Sequence, residues 1–144
     1  KRNIACELAR GKYIASWDDD DLYLSDRIEH QMETLLANPR AAVTGYRRMI
    51  FQTPEGRQWR YNGPPHTAVG VSLLYERGHW GAHPFPCVQV AEDVAFSFQA
   101  ATMGRLAVED GDGRIMARIH PGNTTANSKT EEYFRQHPEN WEAL

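Results

Sequence analysis

Apolar and polar positions follow two periods along this chain. Ile28, Met32, Leu35 and Leu36 fall at i, i+4, i+7 and i+8, one face of a helix. Ser25 stands where an N-cap belongs, Asp26 suits the first turn, and Asn38-Pro39 ends the pattern. Val94, Phe98 and Ala101 share a face of a second helix over 92–103, closed by Gly104. Ile4 and Leu8 predict a third helix over 3–10, with Gly11 as its stop. Short apolar runs predict strands over 12–17, 41–51 and 58–61, the last after the turn "TPEGR". Strands over 106–108 and 114–119 flank "EDGDG" and predict a hairpin, in which Asp110 and Asp112 serve the turn rather than a metal. The run 69–75 suits strand or helix. "YNGPPHT" and residues 79–87, with their aromatics, imidazoles and prolines, read as loops. From Thr130 the chain is polar, with room for one short helix.

Composition narrows the class without naming it. A chain of 144 residues, 41% hydrophobic and 24% charged, suits one globular domain. A net charge of −3 gives no general attraction to nucleic acid or anionic lipid. No apolar run approaches the roughly 20 residues that span a bilayer. Cys6 and Cys87 form no C-x-x-C pair, so neither a disulfide framework nor a zinc site is expected, and a reducing compartment fits. The first residue is Lys rather than Met, so a missing signal peptide carries no weight.

The local chemistry concentrates at "YIASWDDDDLYLSDRI". Four aspartates, Asp18 to Asp21, follow an apolar strand and precede a helix. A solvated acidic turn would account for the composition. The position argues for more, because ligands of open α/β sheets bind at strand C-termini. Clustered carboxylates there suit a hard divalent cation, which would offset their repulsion. An EF-hand loop is excluded. Asp18, Asp20 and Glu29 match its positions one, three and twelve, but Leu22 occupies the fifth and Tyr23 the required glycine.

The stretch "RNIACELARGKYIASWDDDDLYLSDRIEHQ" resembles the central segment of family 2 glycosyltransferases. An Arg-Asn helix, Ala-x-Gly-x-Tyr-Ile, an Asp-x-Asp cluster and an acid-Arg pair occur in that order. A second block, "GVSLLYERGHWGAHPFPCVQVAEDVAFSFQA", is similar to the family's acceptor-side segment, running into Glu-Asp at a helix start. The resemblance implies an α/β, Rossmann-like A-type glycosyltransferase fold. The N-terminal βα units of that fold would precede Lys1. The chain is then expected to be a partial catalytic domain: 1–50 on the metal and nucleotide side, 51–127 on the acceptor side with the base, and 128–144 a polar tail.

The same resemblance implies roles. Asp18 to Asp20 would contain the Asp-x-Asp motif, with Asp20 as the metal ligand and Asp18 or Asp19 near the ribose or the metal. Asp93 would be the catalytic base and Glu92 its neighbour. Asn3 and Arg2 match the Arg-Asn pair and would set the first helix beside the nucleotide. The implied cofactor is Mn²⁺ or Mg²⁺, the donor a nucleotide sugar, with a UDP-sugar as the family's usual choice, and the acceptor a carbohydrate or other hydroxyl. The implied location is the cytoplasm, including a peripheral place on the inner face of a membrane. No Gln-x-x-Arg-Trp sequence occurs, so a processive polysaccharide synthase is not supported.

That chemistry is an inverting transfer. The cation stabilises the leaving diphosphate and Asp93 takes the proton of the acceptor hydroxyl. His120 is a further metal-ligand candidate, because imidazole binds metals, and Arg118 a candidate for the diphosphate. Trp80, His79, His83 and Phe85 are candidates for an acceptor site, set against ordinary loop packing. For Glu92 and Asp93 the alternative is two first-turn acids that suit a helix dipole. Two other functions remain open: a nucleotidyltransferase of similar fold, and a non-catalytic sugar- or metal-binding module.

Overall fold

A computed structural model of the protein describes residues 1–111, 113–123 and 130–144. In chain order the elements are α1 (Arg2–Leu8), β1 (Tyr13–Ala15), β2 (Leu22–Tyr23), α2 (Arg27–Ala37), β3 (Val43–Tyr46), β4 (Arg48–Gln52) and β5 (Gln58–Asn62). A single 3-10 turn (Gly70–Ser72) follows, then β6 (Leu74–Glu76), α3 (Arg77–Ala82), α4 (Glu92–Thr102), β7 (Leu106–Glu109), β8 (Ile115–Arg118), α5 (Glu131–Gln136) and β9 (Trp141–Ala143). Among the described residues no helix is long and apolar enough to cross a membrane.

The strands form two sheets. One has the order β1-β6-β3-β7, the other β2-β8-β4-β5-β9. The apolar run 41–51, expected as one strand, serves both. β3 ends at Tyr46, whose N–H donates to Ser72 Oγ, and β4 begins at Arg48 in the other sheet. The hairpin expected over 106–119 is absent for the same reason. β7 runs parallel to β3 and β8 parallel to β4, so residues 106–118 follow 43–52 across both sheets instead of doubling back. Glycine at 111 marks that crossing, because a Cβ there would overlap the Tyr46 ring. Asp112 lies outside the described residues.

Each sheet carries its own core. The first buries Cys6, Val43, Leu73, Tyr75, Phe85 and Phe96. The second buries Met49, Phe51, Trp59, Ile115, Phe134 and Trp141. The supposed polar tail therefore contributes two of the second core's aromatics, with β9 paired to β5.

The helix faces also differ from expectation. On α2 the buried residues are Arg27, Gln31, Thr34 and Leu35, one position off the apolar stripe, and Leu36 is 71% exposed. The reason is polar: Gln31 Nε2 donates to Ser72 O and Arg27 to Val71 O, satisfying carbonyls of the 3-10 turn. On α4 Phe96, Ser97 and Ala100 are buried while Phe98 is 58% exposed. On α1 Cys6 is buried while Ile4 and Leu8 are exposed, and the helix ends at Leu8, short of Gly11. Ser25 does not cap α2. The N-cap is Asp26, whose carboxylate instead pairs with Arg114 at 2.8 Å. Part of the predicted loop 79–87 is helical in α3, and the ambiguous run 69–75 resolves into the 3-10 turn and β6.

Candidate active site

The acidic turn begins where β1 leaves its sheet. Trp17 packs against Tyr23 with ring centroids 4.1 Å apart. The guanidinium of Arg27 lies 4.9 Å from the first ring and 4.8 Å from the second, a cation against two aromatic faces. Arg27 is fully buried, which lowers its pKa, and its Nη1 has no partner among the described residues. Its Nε donates to Gln31 Oε1 at 3.0 Å. The Tyr23 hydroxyl accepts the Asp18 N–H at 2.8 Å, and burial pushes its pKa up to about 12. The turn thus has an apolar and cationic floor beneath it.

Its outer side is tied to β8 and the residues after it. Asp21 Oδ1 accepts the Arg118 N–H at 3.0 Å, and Arg118 Nε donates to the Asp20 carbonyl. Asp20 Oδ2 lies 2.7 Å from His120 Nε2. Gly122 N–H donates to His120 Nδ1, which leaves Nε2 as the nitrogen that donates to Asp20. This bond holds Asp20 below the usual carboxylate range. Asp18, Asp20 and Asp21 each offer an oxygen within 4.8 Å of the others, while Asp19 stands outside the group. An all-oxygen, anionic set of this kind fits a hard divalent cation. His120 is not part of the group, and both of its ring nitrogens are engaged.

The facing wall is the start of α4. Ala91 takes the left-handed conformation, φ 64°, to turn the chain into the helix. Glu92 Oε1 accepts Arg2 Nε at 2.9 Å, and Arg2 Nη2 stands 3.9 Å from Asp93 Oδ2. Burial works against both charges, but the pair more than offsets it: Glu92 is lowered and Arg2 is raised. Asp93 lies directly on Gly70, where any Cβ would overlap its carboxylate. The acidic turn, Arg2, Glu92, Asp93 and Arg118 line a single cavity of 510 Å³.

The other candidates lie elsewhere. Asn3 Oδ1 accepts the Trp80 indole N–H and the Phe85 N–H, and its Nδ2 donates to Phe85 O, so its side chain is committed to joining α1 to the loop after α3. Phe85 is buried and stacks on Phe96 at 4.2 Å. His79 is buried, which lowers its pKa, and its ring lies 5.1 Å from that of His83. Trp80, His79, His83 and Phe85 do not line the 510 Å³ cavity. Phe85 and His79 are packed in the interior, while Trp80 and His83 are half-buried. Gly70 and the Trp17–Arg27–Tyr23 stack were missed as site residues, and Gly70 gave no sequence signal. The stack had a faint one: an arginine one turn after an aromatic.

The sequence profile described as Glycosyl transferase family 2 matches residues 1–88. TuaG of Bacillus subtilis (strain 168), which bears the name of a teichuronic acid biosynthesis glycosyltransferase, is 28% identical over 105 residues, 65% of this chain and 41% of that one. Residues 1–349 of S. aureus TarS in complex with UDP-GlcNAc share the fold with a TM-score of 0.62, 16% identity, and coverage of 93% of this chain and 43% of that one. The UDP complex of TarS aligns with a TM-score of 0.58 and 17% identity over 83% of this chain and 39% of that one. The chain thus spans about two fifths of the length of these relatives. The expected α/β fold of the A-type glycosyltransferases is the one observed.

Proposed function

The chain belongs to glycosyl transferase family 2, and we propose that the protein containing it moves a sugar from a nucleoside-diphosphate donor to an acceptor hydroxyl, with a divalent cation and inversion at the anomeric carbon. The observation that carries this reading is the single cavity with the acidic turn on one wall and Glu92–Asp93 on the other. UDP-sugar is the favoured donor, since the TarS structures hold UDP-GlcNAc and UDP.

Asp18, Asp20 and Asp21 would hold Mn²⁺ or Mg²⁺, which when bound supplies positive charge to the leaving diphosphate. His120 keeps Asp20 ionised and in place, a positioning role in place of the direct ligation expected from the sequence. Arg118, on the cavity wall, offers its remaining guanidinium N–H groups to the diphosphate. Asp93 accepts the proton of the acceptor hydroxyl, a contribution of roughly 10²–10⁴-fold in such reactions. Arg2 fixes the Glu92–Asp93 pair against α1, and Gly70 leaves room for the carboxylate. A base across the cavity from the diphosphate gives inversion.

The test is product analysis with the full-length protein, Mn²⁺ and a panel of UDP-sugars and acceptors. Release of UDP with an inverted anomeric centre is expected. Pyrophosphate release would point to nucleotidyl transfer, and a retained configuration would remove Asp93 as base.

A further inference from the structure

Asp93 and Val71 also line a second cavity, of 370 Å³, which Gly70 of the 3-10 turn borders and which none of the four aspartates of the acidic turn lines. Resting on the transfer reading above, we propose that this cavity seats the sugar ring that carries the acceptor hydroxyl. Position is the first argument. A group lying there touches the carboxylate that takes its proton, while the donor occupies the cavity lined by the acidic turn, which Asp93 also borders.

Lining chemistry is the second argument. Phe51, Tyr61 and Trp141 come from three adjacent strands, with Tyr61 directly opposite Trp141 in the β5–β9 ladder. The Tyr61 and Trp141 ring centroids are 5.0 Å apart, as are those of Phe51 and Trp141. Phe51 and Trp141 belong to the buried core and back Tyr61, the half-buried ring on which the C–H face of a pyranose packs while its hydroxyls point to the rim. Asp93 is the sole charged side chain among the described lining residues. A phosphorylated acceptor would meet a carboxylate and no cation in this seat, so a neutral ring is preferred. The volume sits at the low end of the roughly 300–1,000 Å³ of small-molecule sites, which suits a terminal sugar rather than a length of polymer.

The four aromatic and imidazole residues of α3 and the loop after it, His79, Trp80, His83 and Phe85, therefore have a replacement as acceptor contacts, built from β4, β5 and β9. This seat deepens the proposed chemistry: the substrate class is a glycoside, with its end ring held by stacking.

The test uses the full-length protein and methyl glycopyranosides of glucose, galactose, mannose and N-acetylglucosamine, followed by saturation-transfer NMR. At least one glycoside should show saturation concentrated on the protons of one ring face. Tyr61→Ala should weaken its binding at least tenfold. Val94→Trp, at a half-exposed position on the cavity rim that does not support the core, should do the same by filling the mouth. Asp20→Ala should keep glycoside saturation and lose Mn²⁺-dependent UDP-sugar binding in calorimetry. Binding of all glycosides unchanged in both cavity variants, saturation by none of them, or preferential binding of glycerol 3-phosphate at this cavity would overturn the proposal. Glycoside binding here with no UDP-sugar binding by the wild type would leave the sugar seat standing and defeat the transfer reading instead.

Discussion

The acidic turn after β1 and the Glu92–Asp93 pair at the head of α4 line one cavity, yet they are anchored by different kinds of partner. The turn is held mainly through its backbone and its edges. Tyr23 takes the Asp18 N–H, Arg118 donates to the Asp20 carbonyl and to Asp21, and His120 reaches one oxygen of Asp20. Three of its carboxylate oxygens, from Asp18, Asp20 and Asp21, converge within 4.8 Å of one another. Glu92 and Asp93, by contrast, share a nearby arginine, and Asp93 is seated on a glycine. Three carboxylates crowded together repel one another and are suited to an arriving cation. A carboxylate already placed against a fixed arginine and a bare backbone is suited to hold its position while a proton moves.

Exchanging charges is the strongest way to break that contrast. In the full-length enzyme Asp93→Asn should lower transfer by roughly 10²–10⁴-fold and leave donor affinity unchanged in calorimetry. Asp20→Ala should instead lose Mn²⁺-dependent donor binding. Normal transfer by Asp93→Asn would sink the division of labour.

Gly70→Ala tests the seat alone. The added methyl overlaps the Asp93 carboxylate, and a displacement near 1 Å can cost about 10²-fold in rate. The loss should fall on kcat, with the donor KM little changed. A fully active Gly70→Ala enzyme would show that the close approach has no catalytic role.

Arg27→Met sharpens the other side. It removes the buried guanidinium beneath the turn and strands Gln31 Oε1 and Val71 O, which should lower the unfolding free energy by about 1–3 kcal/mol in urea. An unchanged urea midpoint would mean that the stack bears no stability.

The smallest effect is acid sensitivity. The Arg2 hydrogen bond, against the opposing effect of burial, lowers Glu92 below its ordinary value of 4.5. Its stabilising contribution is whole above pH 4.5 and fades as pH falls through the lowered value. Arg2→Gln should flatten that part of the acid-unfolding curve. A curve identical to wild type would show the ion pair to be too exposed to matter.

Element types were more legible than their neighbours. Period and capping find α2 and α4 within a residue or two, and the short apolar runs find β1, β3, β4 and β5. Faces are misread because the helices bury polar groups: Arg27, Gln31 and Thr34 look like solvent residues until the carbonyls of Val71 and Ser72 stand opposite them. The hairpin over 106–119 fails because a turn cluster marks any break in a strand, including a passage between sheets. The acids themselves are readable from position and family pattern. Their partners are not, since Arg2 meets Glu92 across 90 residues and Gly70 meets Asp93 through an absence of side chain. The aromatic cavity is equally silent, because Phe51, Tyr61 and Trp141 are ordinary strand residues until β9 pairs with β5.

Two anchors of the acidic turn, Arg118 and His120, lie 97 to 100 residues downstream of the aspartates they hold. On a ribosome adding about 5–20 residues per second, the aspartates emerge roughly 5–20 s before the segment that secures them. A nascent polypeptide stalled ahead of Arg118 would display the four acids with neither tether made. On the proposed reading, competence to take up a cation is thus a late event in the biosynthesis of this stretch, whatever the speed of its local folding.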